Sequence, residues 1–147
     1  MPYEELVRQG RIRLHPASRR EIENLLDLAA RDLRASQANL DIAPEWAYAM
    51  AYNAILQAGR ALMFSLGFRP RESEGHRTVV NFLREAVGPQ YAARVEQLDQ
   101  MRRKRHPTLY ETAGVVGGRE AEQSLAFAQE FVDALHRLVR ADPRQGP

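Results

Sequence analysis

AYAMAYNAILQAGRALMFSLGF, residues 47–68, is the stretch that decides the fold. Ala47, Ala51, Ala54, Ala58 and Ala61 recur every three or four positions and make a ridge of small side chains, while Trp46, Met50, Ile55 and Leu62 supply bulk. Apolar residues occur on more than one side, which suits a helix surrounded by others rather than one lying on a surface. Pro44 fits the first helical turn, where its missing N–H costs nothing, and Gly67 is a natural stop. The apolar run Trp46–Gly59 lies between Glu45 and Arg60 and holds 14 residues. A bilayer crossing needs about 20, so a buried central helix is expected.

Outward from that helix the pattern stays helical. Upstream, Ser18 and Glu21 have the spacing of a capping box, and Ile22, Leu25, Leu26, Ala29 and Leu33 then form one apolar stripe. Residues 37–43 read as a connection, and residues 3–9 as a short lead-in closed by Gly10. Downstream, residues 67–74 read as a polar loop, followed by a helix from His76 to Val87 that ends at Gly88-Pro89. The next helix is expected to start at Pro89, to turn Tyr91, Val95, Leu98 and Met101 inward, and to stop before Pro107. Thr108 with Glu111 would cap a restarted turn, residues 112–118 form a loop, and a last helix covers 119–141 with Leu125, Ala128, Val132, Leu135 and Val139 on one face. No strand is expected. The fold class is therefore all-α, a compact up-and-down bundle of about five helices. It divides into a lead-in (1–17), the bundle (18–141) and a frayed tail (142–147).

Composition removes whole classes of function. The chain has 147 residues, 21 Lys+Arg against 19 Asp+Glu, and no cysteine. Disulfide scaffolds, thiolate zinc sites and cysteine nucleophiles are thereby excluded. A net charge of +2 does not describe a generally basic surface. The N-terminal residues carry acids without an apolar core, unlike a signal peptide, so a cytoplasmic protein with no membrane association is expected. His15, His76, His106 and His136 are at least 30 residues apart and form no helical ligand pair, so no metal and no cofactor is expected. Gly114, Gly117 and Gly118 match neither phosphate-loop spacing, and no serine nucleophile signature occurs.

One segment stands out: RRKRHPTLYE, residues 102–111. Four of the 21 cations stand in a row there, including Lys104, the only lysine among 20 arginines. Such a run can be a solvated helix end, where each charge gains about 0.3–1 kcal/mol from the macrodipole. It can also be an anion site, since paired arginines clamp phosphate and the adjacent His106 is an acid/base near neutral pH. Arg102, Arg105, His106 and Tyr110 are the candidate phosphate-binding residues, and Arg105 and His106 the only candidates for catalysis. Tyr48, Tyr52 and Asn53 on the central helix are possible neighbours, although tyrosines at i, i+4 more commonly serve a core.

The order of these features, the buried AYAMAYNAILQAGRALMFSLGF, then SEGHRTVVNFL, RRKRHPTLY and GGREAEQSLAFAQEFVDALHRLV, resembles the HEPN superfamily over residues 18–141. The resemblance implies a homodimeric helical domain of prokaryotic type, often found in toxin–antitoxin systems beside a nucleotidyltransferase-type partner protein. Many such domains are metal-independent ribonucleases with an Arg-x4–6-His motif. Here Arg102 and His106 are separated by three residues, one too few, and Arg105 is followed after four residues by Tyr110 in place of histidine. A phenol of pKa about 10 is a poor base at neutral pH. The match is closer to the branch whose motif ends in Tyr. That leaves three expectations: a domain that binds a nucleotide, RNA or partner protein without cleavage; a metal-independent endoribonuclease toxin; or a structural protein-interaction module.

Overall fold

The computed structural model describes residues 3–72, 75–110 and 114–141. In chain order the elements are α1 (Glu4–Arg8), β1 (Ile12–Leu14), α2 (Arg19–Asn39), α3 (Pro44–Ser65), β2 (Phe68–Pro70), α4 (His76–Ala86), a 3-10 turn (Pro89–Tyr91), α5 (Ala92–Tyr110) and α6 (Gly118–Ala141). The fold is an all-α bundle with one small sheet.

The helix boundaries follow from local chemistry. At the start of α2 the Ser18 hydroxyl accepts the Glu21 N–H at 3.1 Å, and the Glu21 carboxylate accepts the Ser18 N–H at 3.4 Å. Such a cap contributes about 1 kcal/mol. Pro44 opens α3, and the far end of α2 is tied to it where the Ser36 hydroxyl donates to the Ala47 carbonyl at 2.6 Å. α3 occupies the centre, packed most extensively against α2 and α6 and also against α4 and α5. Its alanine ridge is fully buried, as are Tyr52, Ile55 and Met63. Trp46, expected to add bulk to the core, is instead 47% exposed, because it lies in the first turn before the other helices cover α3.

Gly59 is where α4 comes closest to α3. A Cβ there would stand 3.0 Å from Leu83 Cδ1 and 3.2 Å from Val79 Cγ1, tighter than ordinary packing. Val79, Val80, Phe82 and Leu83 of α4 are all fully buried as a result. No helix among the described residues is long and apolar enough to cross a membrane.

Three local expectations are corrected. Residues 12–14 and 68–70 form an antiparallel pair with Ile12 opposite Pro70 and Leu14 opposite Phe68. The ladder extends through the Arg71 N–H to the Arg11 carbonyl at 3.0 Å and the His15 N–H to the Gly67 carbonyl at 2.8 Å. Three-residue strands show no readable alternation, and each is stabilised only by its distant partner. Pro89 begins a 3-10 turn, with α5 proper starting at Ala92. Pro107 does not end the helix: α5 runs through it to Tyr110. The fixed φ of proline, about −65°, is itself helical, so the cost is one hydrogen bond and crowding against the preceding turn. Glu111, the second half of the proposed Thr108 cap, and the tail from Asp142 lie outside the described residues.

Candidate functional site

The four cations at 102–105 do not act as a block. Arg102 donates from Nε to Asp99 Oδ1 at 2.8 Å, and Arg103 reaches Asp99 Oδ2 at 3.7 Å. Arg84 of α4 meets the same carboxylate at 3.3 Å. Burial would raise the Asp99 carboxyl, but the Arg102 hydrogen bond and the charges of Arg102, Arg84 and Arg103 together hold it below its ordinary value. Lys104 turns the other way and pairs with Glu120 of α6 at 2.7 Å.

Arg105 differs from these three. Its Nε is buried and has no hydrogen-bond partner among the described residues, and its guanidinium lies 5.9 Å from the centre of the Tyr52 ring. A cation over an aromatic face is an attractive contact, but it leaves the N–H donors unfilled. An unsatisfied buried donor is costly and therefore a good place for an acceptor to arrive.

Tyr52 anchors this corner. It is fully buried on α3, and its hydroxyl lies 2.9 Å from Nδ1 of His76, the first residue of α4. The two rings are stacked, 5.7 Å between centres. Burial pushes the Tyr52 phenol far above its ordinary value, against the downward pull of Arg105, Arg102 and Arg60 and with a small upward push from Asp99. Tyr52 is thus neutral at every physiological pH. His76 is delivered by Gly75, whose φ of +45° is left-handed and whose missing Cβ would meet the Pro70 Cβ at 2.5 Å. No other residue fits between β2 and α4 at that point.

On the opposite flank of α5, facing α6, is a groove of about 340 Å³ lined by Tyr48, Gln97, Gln100, Lys104, Glu120 and Gln123, among others. The two helices are bridged there by the Lys104–Glu120 pair and by Arg94 with Glu130. Lys104 Nζ stands 6.0 Å from the Tyr48 ring centre. Burial, then the Glu120 charge, pushes the Tyr48 phenol up to about 12.

Of the candidate residues, Arg102, Arg105 and Tyr52 therefore gather at one corner. Tyr48 joins Lys104 on the other flank, and Asn53 is half-buried on α3 with no hydrogen bond to the cluster among the described residues. His106 and Tyr110 lie on α5, but their side chains are outside the described residues. The residue that sequence reasoning passed over is His76. Its only local signal is its place just after a glycine at a helix start; the meeting with Tyr52, 24 positions away, is a tertiary fact. Among the described residues no group of three or more His, Asp or Glu is placed to hold a metal ion.

Comparison with known proteins gives a consistent picture of the fold. A HEPN domain family model matches residues 22–138. Among solved structures, TT1696 from Thermus thermophilus matches with a TM-score of 0.64 and 23% identity, covering 80% of this chain and 98% of that one. No curated protein matches the sequence.

Proposed function

The chain belongs to the HEPN family, and from that premise we propose that it is a homodimeric binding domain that takes the phosphate of a nucleotide or RNA at the corner formed by Arg102, Arg105, Tyr52 and His76. The observation that carries this reading is the unfilled donor on Arg105, set among cations that are otherwise paired with acids. Its four-residue spacing to Tyr110 in place of histidine supports binding over cleavage, and so does the neutrality of Tyr52. His106 and Tyr110, on the same helix, would complete the ligand contacts. A role in a prokaryotic toxin–antitoxin pair, with a nucleotidyltransferase-type partner protein, belongs to the same proposal. Fluorescence titration of a short single-stranded RNA and of ATP tests it: affinity falls with salt and collapses in the double variant Arg102→Ala, Arg105→Ala. Unchanged affinity in that variant would remove the site, and a strict monomer in light scattering would remove the dimer.

A second reading has one observation in its favour. His76 brings an imidazole to the same tyrosine that lies under Arg105, so a metal-independent endoribonuclease with a histidine from outside the usual motif is chemically accessible. Cleavage of single-stranded RNA in EDTA, abolished by both Arg105→Ala and His76→Ala, would favour it. We expect the RNA to stay intact.

A further inference from the structure

Hydrogen-bond accounting at the buried end of Tyr52 leads further. Nδ1 of His76 is the only hydrogen-bond partner of the Tyr52 hydroxyl among the described residues, at 2.9 Å. The contact can be made in two ways with a neutral ring: the phenol donates to a bare Nδ1, or Nδ1–H donates to the phenol oxygen. In the second case the phenol hydrogen is left pointing into a fully buried environment with no acceptor, and an orphaned donor there is costly. Ionising the phenol would avoid that cost, but burial raises its pKa far too high. The charged groups around Tyr52 are Arg105, Arg102, Arg60 and Asp99, and Asp99 is engaged with Arg102, Arg103 and Arg84. Only the first arrangement satisfies every atom of this contact.

We infer that Tyr52 is a positioning residue for His76: its hydroxyl donates to Nδ1 and holds the neutral ring as the Nε2–H tautomer, so that His76 meets a bound oxyanion as a donor and not as a base. The tautomer follows from the geometry of the free protein. Its consequence for a ligand rests on the anion-binding reading above, which it deepens: beside guanidinium donors, a ring carrying Nε2–H selects a ligand that presents only acceptors, such as a phosphate ester dianion or sulfate. The same tautomer disfavours His76 as the base of a ribonuclease, because the bare nitrogen is turned inward to Tyr52.

The test uses the full chain labelled with nitrogen-15 in histidine, at a pH above imidazole titration. Two-bond nitrogen–proton correlation spectra distinguish the tautomers, and His76 is assigned by the loss of its signals in His76→Gln. The expected result is an unprotonated Nδ1 and a protonated Nε2 for His76, with the ring drifting toward a tautomer mixture in Tyr52→Phe. A hydrogen on Nδ1, or an averaged ring in the wild-type chain, would overturn the inference without need of any variant. An identical spectrum in Tyr52→Phe would overturn the role of Tyr52. Calorimetric titration with sodium sulfate reports separately on the site. Heat of binding with the wrong tautomer leaves the site and removes the lock, whereas the right tautomer with no heat leaves the lock and removes the site.

Discussion

Lys104 and Arg105 are neighbours in sequence, carry the same charge and each lie over a tyrosine of α3, yet they belong to different chemistry. Lys104 over Tyr48 is neutralised by Glu120 on the α6 side. Arg105 over Tyr52 has no acid partner among the described residues and keeps a buried, unfilled N–H. One residue of helix is a rotation of about 100°, enough to send adjacent side chains to opposite flanks. A run of four cations is therefore two surfaces, and what each can bind is decided by the helix waiting on its side.

The contrast can be broken in order of expected effect. Arg102→Ala with Arg105→Ala removes two charge-assisted donors and is expected to weaken RNA or nucleotide binding roughly tenfold to a hundredfold. Lys104→Ala, which strips a cation already spent on Glu120, is expected to change affinity by about twofold or less, and the salt slope of RNA binding should flatten only in the double variant. Comparable losses in both would mean that the run acts as one patch after all. The next largest effect separates the tyrosines. Tyr52→Phe deletes a buried hydrogen bond and should cost about 1–1.5 kcal/mol in a denaturant melt. Tyr48→Phe, beside an open groove that water can enter, should stay within about 0.5 kcal/mol. Smaller still is the Lys104–Glu120 pair, with side chains 33% and 41% exposed. A double-mutant cycle is expected to give roughly 0.2–1 kcal/mol, reduced by salt.

The smallest effect concerns Asp99. Its carboxyl is depressed in the fold, so its contribution to stability is fully present above the ordinary value of 3.8 and is lost as pH falls through the lower folded value. Asp99→Asn should remove that part of the acid sensitivity, visible as a flatter Tm profile below about pH 4.

What could be read in the sequence was whatever is local. The Ser18–Glu21 cap, Pro44 at a helix start and the alanine ridge of α3 each act within a turn or two, and all appear as expected. The i−4 pairing of Arg103 with Asp99 was equally legible. Pro107 misled because a proline rule describes a cost, and a helix with enough packing elsewhere can bear it. The strands β1 and β2 and the meeting of His76 with Tyr52 depend on partners far along the chain, for which no residue spacing gives notice. Half of the site was visible as a charge run; the half that selects among its members came from α3 and α4.

The two short strands also bear on the order in which the molecule assembles. Helices α2 and α3 are joined by a brief turn and can zip together early, whereas β1 must find β2 across 58 positions, Ile12 to Pro70. Closing so large a loop is entropically slow and is rewarded only once the helices have brought its ends together. β2 leads through Gly75 straight into His76. The imidazole thus reaches its tyrosine only after that latch has shut, which makes the corner that bears the chemistry a late arrival in folding.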